Sequence, residues 1–146
     1  PLATIARRGG YIAGENAAGG NRFMSPVIPN VSLSFFYYYF SSTGLTEFQA
    51  LSLMQGVKSY SGIASSLVEV MPNARKIFGK IITNRDREII GGSFYGGIEI
   101  SGLADIISLS IKKRLKIDEL NEIDFNYTPR LSPFTNILSI LSKKGI

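Results

Sequence analysis

The stretch at residues 77–120, IFGKIITNRDREIIGGSFYGGIEISGLADIISLSIKKRLKIDEL, decides the fold of this chain. Two apolar segments, residues 77–82 and 88–95, flank a polar turn, and this pattern predicts two antiparallel strands. A glycine pair then separates them from residues 101–115, where apolar or small side chains recur at helical spacing: Leu103, Ile106, Ile107, Ser110 and Ile111. Because a two-stranded ribbon alone is only marginally stable, we predict that this helix packs across one face of the ribbon.

The segment at residues 31–40, VSLSFFYYYF, predicts a core strand, because its first half alternates and its second half is aromatic. No Lys or Arg interrupts the aromatic run, so a buried strand is favoured over a surface that stacks nucleic-acid bases. We expect the strand to break at residues 41–44, where Ser, Thr and Gly follow one another. A further strand is predicted within residues 57–70.

A helix is predicted at residues 45–55. Either Thr43 or Thr46 can cap it, and Gly56 can end it. Its larger apolar side chains are expected to face the core, and these are Leu45, Phe48, Leu51 and Leu53.

Shorter helices are predicted towards both ends of the chain. Residues 11–18 form one, ended by a glycine pair. Residues 117–122 form another, with acidic residues in its first turn, and residues 134–142 form the last. Ser101 is the expected N-cap of the central helix.

The composition limits the chemistry that the chain can perform. It has 146 residues, of which 45% are hydrophobic and 18% charged, which is enough for one globular domain with a core. It contains neither cysteine nor histidine. A disulfide scaffold, a thiolate or imidazole metal site and a Ser-His-Asp arrangement are therefore excluded within this chain, and we expect no metal site.

The formal net charge is +5, a balance that can indicate a nucleic-acid or membrane partner. The positive residues are scattered, however, and two clusters, 112–114 and 143–144, fall at predicted helix C-termini, where cations are favoured. No apolar run approaches the roughly 20 residues of a membrane span, and no signal peptide opens the sequence. We therefore expect a cytoplasmic protein that binds no membrane, and nucleic acid is the less favoured partner.

Four short motifs occur in order along the chain. The first begins with PLAT at residue 1 and ends with IAGENAAGG at residues 12–20; the second is STGLTE at 42–47; the third is IIGG at 89–92, followed by a helix. The fourth combines IDEL at 117–120 with YTPRLSP at 127–133. In this order and spacing they resemble the C-terminal end of the FAD-dependent pyridine nucleotide-disulfide oxidoreductases. The nearest branch is that of NADH oxidase and coenzyme A-disulfide reductase.

The resemblance implies an α+β fold, an antiparallel sheet with helices on one side, which is the dimerisation-domain fold of this family. Residues 1–20 would be the remnant of the end of a flavin-binding domain, and residues 21–146 the C-terminal dimerisation domain. The expected partners are a second copy of the chain, in a homodimer, and the upstream FAD and NAD domains of the same protein.

The resemblance also implies that FAD and NAD(P)H serve the parent enzyme. No Gly-x-Gly-x-x-Gly pattern is present in this sequence, and the family's redox cysteine would lie upstream. We therefore expect this chain alone to bind no cofactor and to be inactive.

The resemblance assigns tentative roles to individual residues. Tyr127 matches a family tyrosine that lines the partner's active site. Ala6, Arg8 and Gly10 match the segment that lies near the flavin ring. A second family tyrosine, which precedes a proline in the middle of the domain, is replaced by Met71, and this argues against coenzyme A disulfide as the substrate.

Asp118 and Glu119 are interpreted as first-turn helix residues rather than a catalytic pair, because adjacent carboxylates on a helix point in different directions. The apolar side chains of the 101–115 helix, which include Leu109, cover more than one of its faces. We therefore expect its second face to contact another subunit.

Two alternatives to an oxidoreductase domain stay open. One is a free-standing interaction module descended from this domain, and the other is a basic nucleic-acid-binding domain. The coding sequence upstream of Pro1 would separate the oxidoreductase domain from the free-standing module. Salt-dependent binding of DNA or RNA would indicate the second alternative.

Overall fold

The computed structural model describes residues 2–145, and in this part of the chain five strands form one antiparallel sheet in the order β1-β2-β5-β4-β3. The strands are β1 (Asn30–Phe35), β2 (Tyr38–Gly44), β3 (Lys58–Ser65), β4 (Lys76–Thr83) and β5 (Ile89–Gly96). The helices are α1 (Leu2–Ala17), α2 (Glu47–Leu53), α3 (Ile100–Lys113), α4 (Ile137–Lys143) and a 3₁₀ helix (Ile117–Glu122). This arrangement confirms the predicted α+β class.

The predicted ribbon is present as β4 and β5, which pair near the centre of the sheet. Asn84 closes the turn between them. Its side-chain oxygen accepts hydrogen bonds from the backbone N–H groups of Asp86 at 3.0 Å and Glu88 at 2.9 Å. Arg87 takes a left-handed φ of 68°, so the polar turn is held by side-chain bonds rather than by a glycine.

Helix α3 packs on one face of the sheet, as predicted, and glycines of β5 allow the close approach. A Cβ added at Gly92 would lie 3.1 Å from Ile107, and one added at Gly96 would lie 3.3 Å from Ile100. The helix thus packs directly against the β5 backbone. It covers β5, β2 and β1, whereas α4 covers β3 and β4, so two helices rather than one cover the ribbon.

The core lies between the sheet and these two helices. Aliphatic side chains dominate it, and the strands, both helices and the 3₁₀ helix contribute to it: Ile77, Ile81, Ile89, Phe94, Ile100, Leu103, Ile107, Ile117, Leu120, Ile137, Leu138 and Leu141. Burying one such side chain fully stabilises a fold by about 1.5–3 kcal/mol relative to its exposed state. The contact of the helices with one sheet face is therefore the main source of stability.

The ends of α3 agree with the sequence analysis at the C-terminus and differ at the N-terminus. Glu99 is the N-cap residue, and it makes no side-chain capping bond. The prediction of Ser101 as N-cap is wrong, because Ser101 lies inside the helix and its hydroxyl donates to the Ile98 carbonyl at 3.1 Å. At the other end, Lys112 and Lys113 occupy the last turn before a left-handed cap, where cations are favoured.

The prediction of one core strand at residues 31–40 is wrong. The chain reverses at Phe36, so that β1 and the start of β2 form a hairpin with most of their side chains exposed. Phe36 has a φ of 53°. In hairpin turns this left-handed backbone conformation is usually adopted by Gly or Asn. The turn therefore carries no recognisable signal. Residues 41–44, expected to be a break, belong to β2.

Helix α2 (Glu47–Leu53) lies within the predicted residues 45–55 and starts two positions later, and a different side of it is buried. Thr46 caps it: its hydroxyl accepts from the Gln49 N–H at 3.3 Å, and the Gln49 side chain accepts from the Thr46 N–H at 3.0 Å. The small Ala50 is the buried residue of this helix. The predicted inward face is wrong, because three of its side chains are exposed: Phe48, Leu51 and Leu53.

The remaining helices agree with the predictions except in their starting points. α1 starts at Leu2, nine positions before the predicted residue 11, and runs through a glycine pair without interruption. α4 starts at Ile137, after an Asn136 cap whose side chain accepts from the Leu138 N–H at 2.9 Å. No helix among residues 2–145 has the length and apolar character needed to cross a membrane.

The 3₁₀ helix confirms the interpretation of its acidic residues. Asp118 pairs with Arg87 at 3.3 Å, and the Glu119 carboxylate accepts from the Lys116 N–H at 2.6 Å. Both carboxylates thus bind groups at the start of the 3₁₀ helix. Asp118 also connects the helix to the ribbon through Arg87.

We expect Gly91→Ala to destabilise the chain and Gly102→Ala not to. A Cβ at Gly91 would overlap the backbone oxygen of Leu45, whose N–H bonds to the Ile90 carbonyl at 2.9 Å. Overpacking of this kind costs about 1–3 kcal/mol. Gly102 is exposed in α3 with nothing within 4 Å of an added Cβ, and alanine there raises helix propensity by up to about 1 kcal/mol.

Urea unfolding followed by circular dichroism measures both variants against the parent chain. A Gly91→Ala variant as stable as the parent would show that the contact between β5 and the start of α2 is not tight.

Candidate functional site

Tyr127, the predicted partner-site residue, lies on the surface loop that joins the 3₁₀ helix to α4. Its side chain is 50% exposed, and its ring packs edge-to-face on Phe134 with centroids 5.5 Å apart. Two residues earlier, Phe125 is partly buried against the core. The ring is therefore held by an aromatic neighbour while it remains accessible from outside the chain.

Hydrogen bonds order the turn that follows Tyr127. The Thr128 N–H donates to the Ser132 hydroxyl at 2.9 Å, and the Thr128 carbonyl accepts from the N–H groups of Leu131 at 2.8 Å and Ser132 at 2.9 Å. Leu131 and Phe134 are exposed on either side of Ser132. The loop is thus an ordered projection with an aromatic and aliphatic tip, which is suited to contact another protein surface.

The predicted flavin-segment residues Ala6, Arg8 and Gly10 all lie on α1. Ala6 and Gly10 are exposed, and nothing in the described chain lies within 4 Å of a Cβ added at Gly10. The same holds for Gly14, one helical turn further on. No contact among the described residues requires glycine at these two positions, so this face of α1 is open to a group from outside.

A cavity of about 540 Å³ separates α1 from α3. Arg8 lines it from α1, and Asp105 and Lys112 line it from α3. Asn30 at the start of β1 donates to Asp105 at 2.7 Å, whereas the Nε of Arg8 has no hydrogen-bond partner among the described residues. α1 therefore lies on the helix side of the sheet, outside the packed core.

The sequence lacks the glycine pattern that receives a dinucleotide pyrophosphate. No two glycines in the sequence are separated by a single residue, so the Gly-x-Gly turn that receives a dinucleotide pyrophosphate cannot form here. Within residues 2–145, no three His, Cys, Asp or Glu side chains are grouped so that they could hold a metal ion.

The sequence analysis missed an exposed apolar surface, which lies on the sheet face opposite α3 and α4. In strand register, one position from each of the five strands forms a continuous line, which we call the aromatic row: Leu33, Phe40, Tyr95, Phe78 and Ile63. The sequence of β4 contains one indication of this surface. Phe78 is a large apolar residue on the exposed face, whereas Ile77 and Ile81 lie in the core. A strand with large apolar residues on both faces is typical of contact on both sides.

An ion pair borders the aromatic row. Lys80, on the same face of β4, donates to the Glu47 carboxylate at 2.6 Å, and the Ser59 hydroxyl donates to it at 2.5 Å. These hydrogen bonds, that from Lys80 above all, lower the pKa of Glu47. Because Glu47 opens α2, the pair also ties that helix to the end of the sheet.

The expected second apolar face of α3 is small. Ile107 is fully buried, and Ile106 and Ile111 pack against the same core. Leu109 is 57% exposed. Most apolar residues of α3 therefore serve one broad contact with the sheet, and Leu109 is the one left exposed on the outer side of the helix.

Comparison with known proteins gives extended matches at low identity. No protein-family model matches the chain. An NADH oxidase from Methanocaldococcus jannaschii is 28% identical over 148 residues, which cover 100% of this chain and 33% of the relative. An NAD(P)H coenzyme A polysulfide/persulfide reductase from Pyrococcus horikoshii is 26% identical over 144 residues, which cover 98% of this chain and 32% of the relative. The chain thus spans about a third of the length of the curated relatives it matches.

The fold also has solved counterparts. A NAD-dependent persulfide reductase from A. fulgidus matches with a TM-score of 0.92 at 24% identity, over 99% of this chain and 27% of that chain. The sheet and its helices therefore have the fold of a domain of the pyridine nucleotide-disulfide oxidoreductases. Together with the sequence matches, this confirms the resemblance: the chain matches a C-terminal part of proteins of the NADH oxidase and coenzyme A-disulfide reductase family.

The pair of Glu47 and Lys80 should stabilise the chain only where Glu47 is ionised. The folded state lowers the pKa of Glu47 from its ordinary value of 4.5. The contribution is therefore fully present above that value and is lost as the pH falls through the folded pKa. The two side chains are 37% and 41% exposed, so Glu47→Gln should lower the free energy of unfolding at neutral pH by only about 0.2–1 kcal/mol.

Urea titrations of the parent and variant between neutral and strongly acidic pH measure this difference. Glu122→Gln, at an exposed position, is the matched control and should show a smaller effect. A difference between parent and Glu47→Gln that grows on acidification would contradict the assignment.

Proposed function

We propose that this chain is the C-terminal dimerisation domain of an FAD-dependent NAD(P)H oxidoreductase. Residues 1–20 would end its flavin domain, and residues 21–146 would pair two subunits and line the partner's active site. The observation that carries the proposal is the end-to-end match, in which 100% of this chain aligns with 33% of the M. jannaschii NADH oxidase. The flavin, the nicotinamide and the redox cysteine would belong to the upstream part of the same protein.

The exposed surfaces of the chain support a role in assembly. A soluble monomer rarely exposes a contiguous apolar patch of more than a few hundred square ångströms. Here both the aromatic row and the loop of Tyr127 expose large apolar side chains, among them Leu33, Phe134 and Leu131. Such surfaces are typical of a domain that another subunit or domain covers.

The position of Tyr127 supports a part in the partner's site. It stands on an ordered projection and not in the core. A phenol donates a hydrogen bond readily to an anionic oxygen or sulfur. Tyr127 would therefore bind or protonate an anion formed on the substrate, whereas hydride transfer would take place between groups held upstream.

The open face of α1 supports its place at the end of a flavin domain. Ala6 and Gly10 lie one turn apart on this face, and small side chains permit close approach to a flat ring. Arg8 would meet the flavin domain from the cavity side, where its Nε has no partner among the described residues.

The names of the relatives are the basis for the substrate class that we propose. They divide between an NADH oxidase and a coenzyme A polysulfide/persulfide reductase. Met71 stands where coenzyme A-disulfide reductases have a second tyrosine, so we propose that coenzyme A disulfide is not the substrate.

The proposal is tested on the complete coding sequence. The reading frame upstream of Pro1 should encode glycine-rich nucleotide-binding motifs and a redox cysteine. The full-length protein should carry the visible absorbance of bound flavin and oxidise NADH or NADPH, and the 146-residue chain alone should do neither. A reading frame that begins at or just before Pro1, or a full-length protein without flavin, would contradict the proposal.

In that full-length enzyme, Tyr127→Phe should lower kcat/KM by at least about tenfold, because it removes one hydrogen-bond or proton donor from the partner's site. Flavin content and subunit pairing should stay unchanged. Tyr37→Phe, at an exposed residue of the β1–β2 turn, is the control and should keep full activity. Steady-state kinetics on both variants measure the effect, and full activity of Tyr127→Phe would exclude Tyr127 from the site.

A further inference from the structure

The cavity between α1 and α3 lies outside the aliphatic core and has a lining of its own. Its volume, about 540 Å³, is within the roughly 300–1,000 Å³ of ordinary small-molecule sites. Most of its lining is polar, and the polar side chains that the two helices contribute are Thr4, Arg8, Ser101, Asp105, Ser108 and Lys112. The charges among these side chains therefore decide what the cavity can bind.

Two cations in the cavity have no ionic partner in the described part of the chain. Arg8 lines the cavity from α1 and Lys112 from α3, and neither belongs to an ion pair among residues 2–145. The Nε of Arg8 is buried and has no hydrogen-bond partner there. A buried donor without a partner is costly, so the Arg8 guanidinium favours an acceptor that enters the cavity.

The carboxylate that lines the cavity does not neutralise these cations. Asp105 accepts a hydrogen bond from the Asn30 side chain at 2.7 Å, and no described Lys or Arg lies within ion-pair distance of its oxygens. Arg8 and Lys112 thus exceed Asp105 by one positive charge. Opposite charges attract more strongly in a partly enclosed site than in bulk water, so the cavity favours an anion.

The cavity is longer than an inorganic anion and has an apolar wall. Ser101 and Lys112 both line it, and they are eleven positions apart on α3, which corresponds to about 16 Å along the helix axis. Ile5 of α1 and the segment before β1, with Val27 and Ile28, form the apolar wall. A ligand that combines an anionic group with an apolar part matches both kinds of lining.

We infer that this cavity binds an organic phosphate. A phosphate monoester carries about −1.5 to −2 charge at pH 7, which matches two free cations better than a carboxylate does. The guanidinium of Arg8 donates parallel hydrogen bonds to the phosphate oxygens, Lys112 supplies the second positive charge, and the organic part packs on Ile5 and Val27. Every residue of this site belongs to the chain itself, so the site exists whether or not the proposed function holds.

The test is calorimetric titration of the 146-residue chain with phenyl phosphate, AMP, inorganic phosphate and adenosine. Phenyl phosphate and AMP should each bind at least about tenfold more tightly than inorganic phosphate, because they also reach the apolar wall. Adenosine, which lacks the anion, should not bind measurably. If neither organic phosphate binds more tightly than inorganic phosphate, the inference is overturned.

Neighbouring cations supply matched control variants. Arg8→Gln and Lys112→Gln should each raise the dissociation constant of AMP at least about tenfold. Arg7→Gln and Lys113→Gln remove the same charge at adjacent exposed positions that are not among the lining residues, and they should bind like the parent. Asp105→Asn should bind AMP more tightly, because it removes a repulsive charge. Equal weakening by all four cation variants would show attraction to net charge alone and would overturn the inference.

Hydrogen exchange locates the ligand in the complete protein. α1 contributes no residue to the core, and a ligand in the cavity would contact α1 and α3 together. AMP should therefore slow the exchange of α1 amides in the full-length parent and not in its Arg8→Gln variant. No such difference would show that the upstream part of the protein fills the cavity, and would overturn the inference while the proposed function stands.

Discussion

The close contact between helices and strand glycines is the constraint on which the rest of the structure depends. α3 contacts the backbone of β5 at Gly92 and Gly96. These two residues have no side chain that would hold the helix away from the strand. α4 does the same on β4, since a Cβ at Gly79 would lie 3.0 Å from both Ile137 and Leu141. Close packing at these points brings isoleucine and leucine side chains of the helices into contact with the sheet. The aliphatic core is therefore concentrated on one side of the sheet.

A sheet built in this way has two faces of different chemistry. The helix side is aliphatic and closed. The other side is aromatic, open and bordered by serines and by the pair of Glu47 and Lys80. The first face explains how a short C-terminal segment folds, and the second explains why such a segment would be useful in an oligomeric enzyme. Under the proposed function, assembly and catalysis would be separated along the protein: the cofactor-binding parts would lie upstream, and Tyr127 would reach the partner from its loop.

Local signals predicted much of the fold. The spacing of Leu103, Ile107 and Ser110 placed α3 correctly, and the cations at 112–114 marked its end. The ordered motifs pointed to the proteins whose C-terminal part the chain matches. The failures have physical causes. The turn at Phe36 holds an aromatic residue in a left-handed backbone conformation. In α2 the small Ala50 is buried, whereas its larger apolar residues are exposed. Family motifs pointed to Tyr127, Arg8 and Gly10 as candidates. Phe78 gave a local signal for the aromatic row, but the whole row could not be predicted. It joins strands distant in sequence, and only the register of β2 with β5 brings Phe40 beside Tyr95.

Native-state hydrogen exchange, followed peptide by peptide, tests most directly whether α3 and the central strands form one cooperative core. The account predicts that amides of α3, β4 and β5 exchange last and together, at the rate of global unfolding. The amides of α1, which lies outside that core, should exchange much earlier. Exchange of α3 well before β5, or an α1 as protected as β5, would contradict the account.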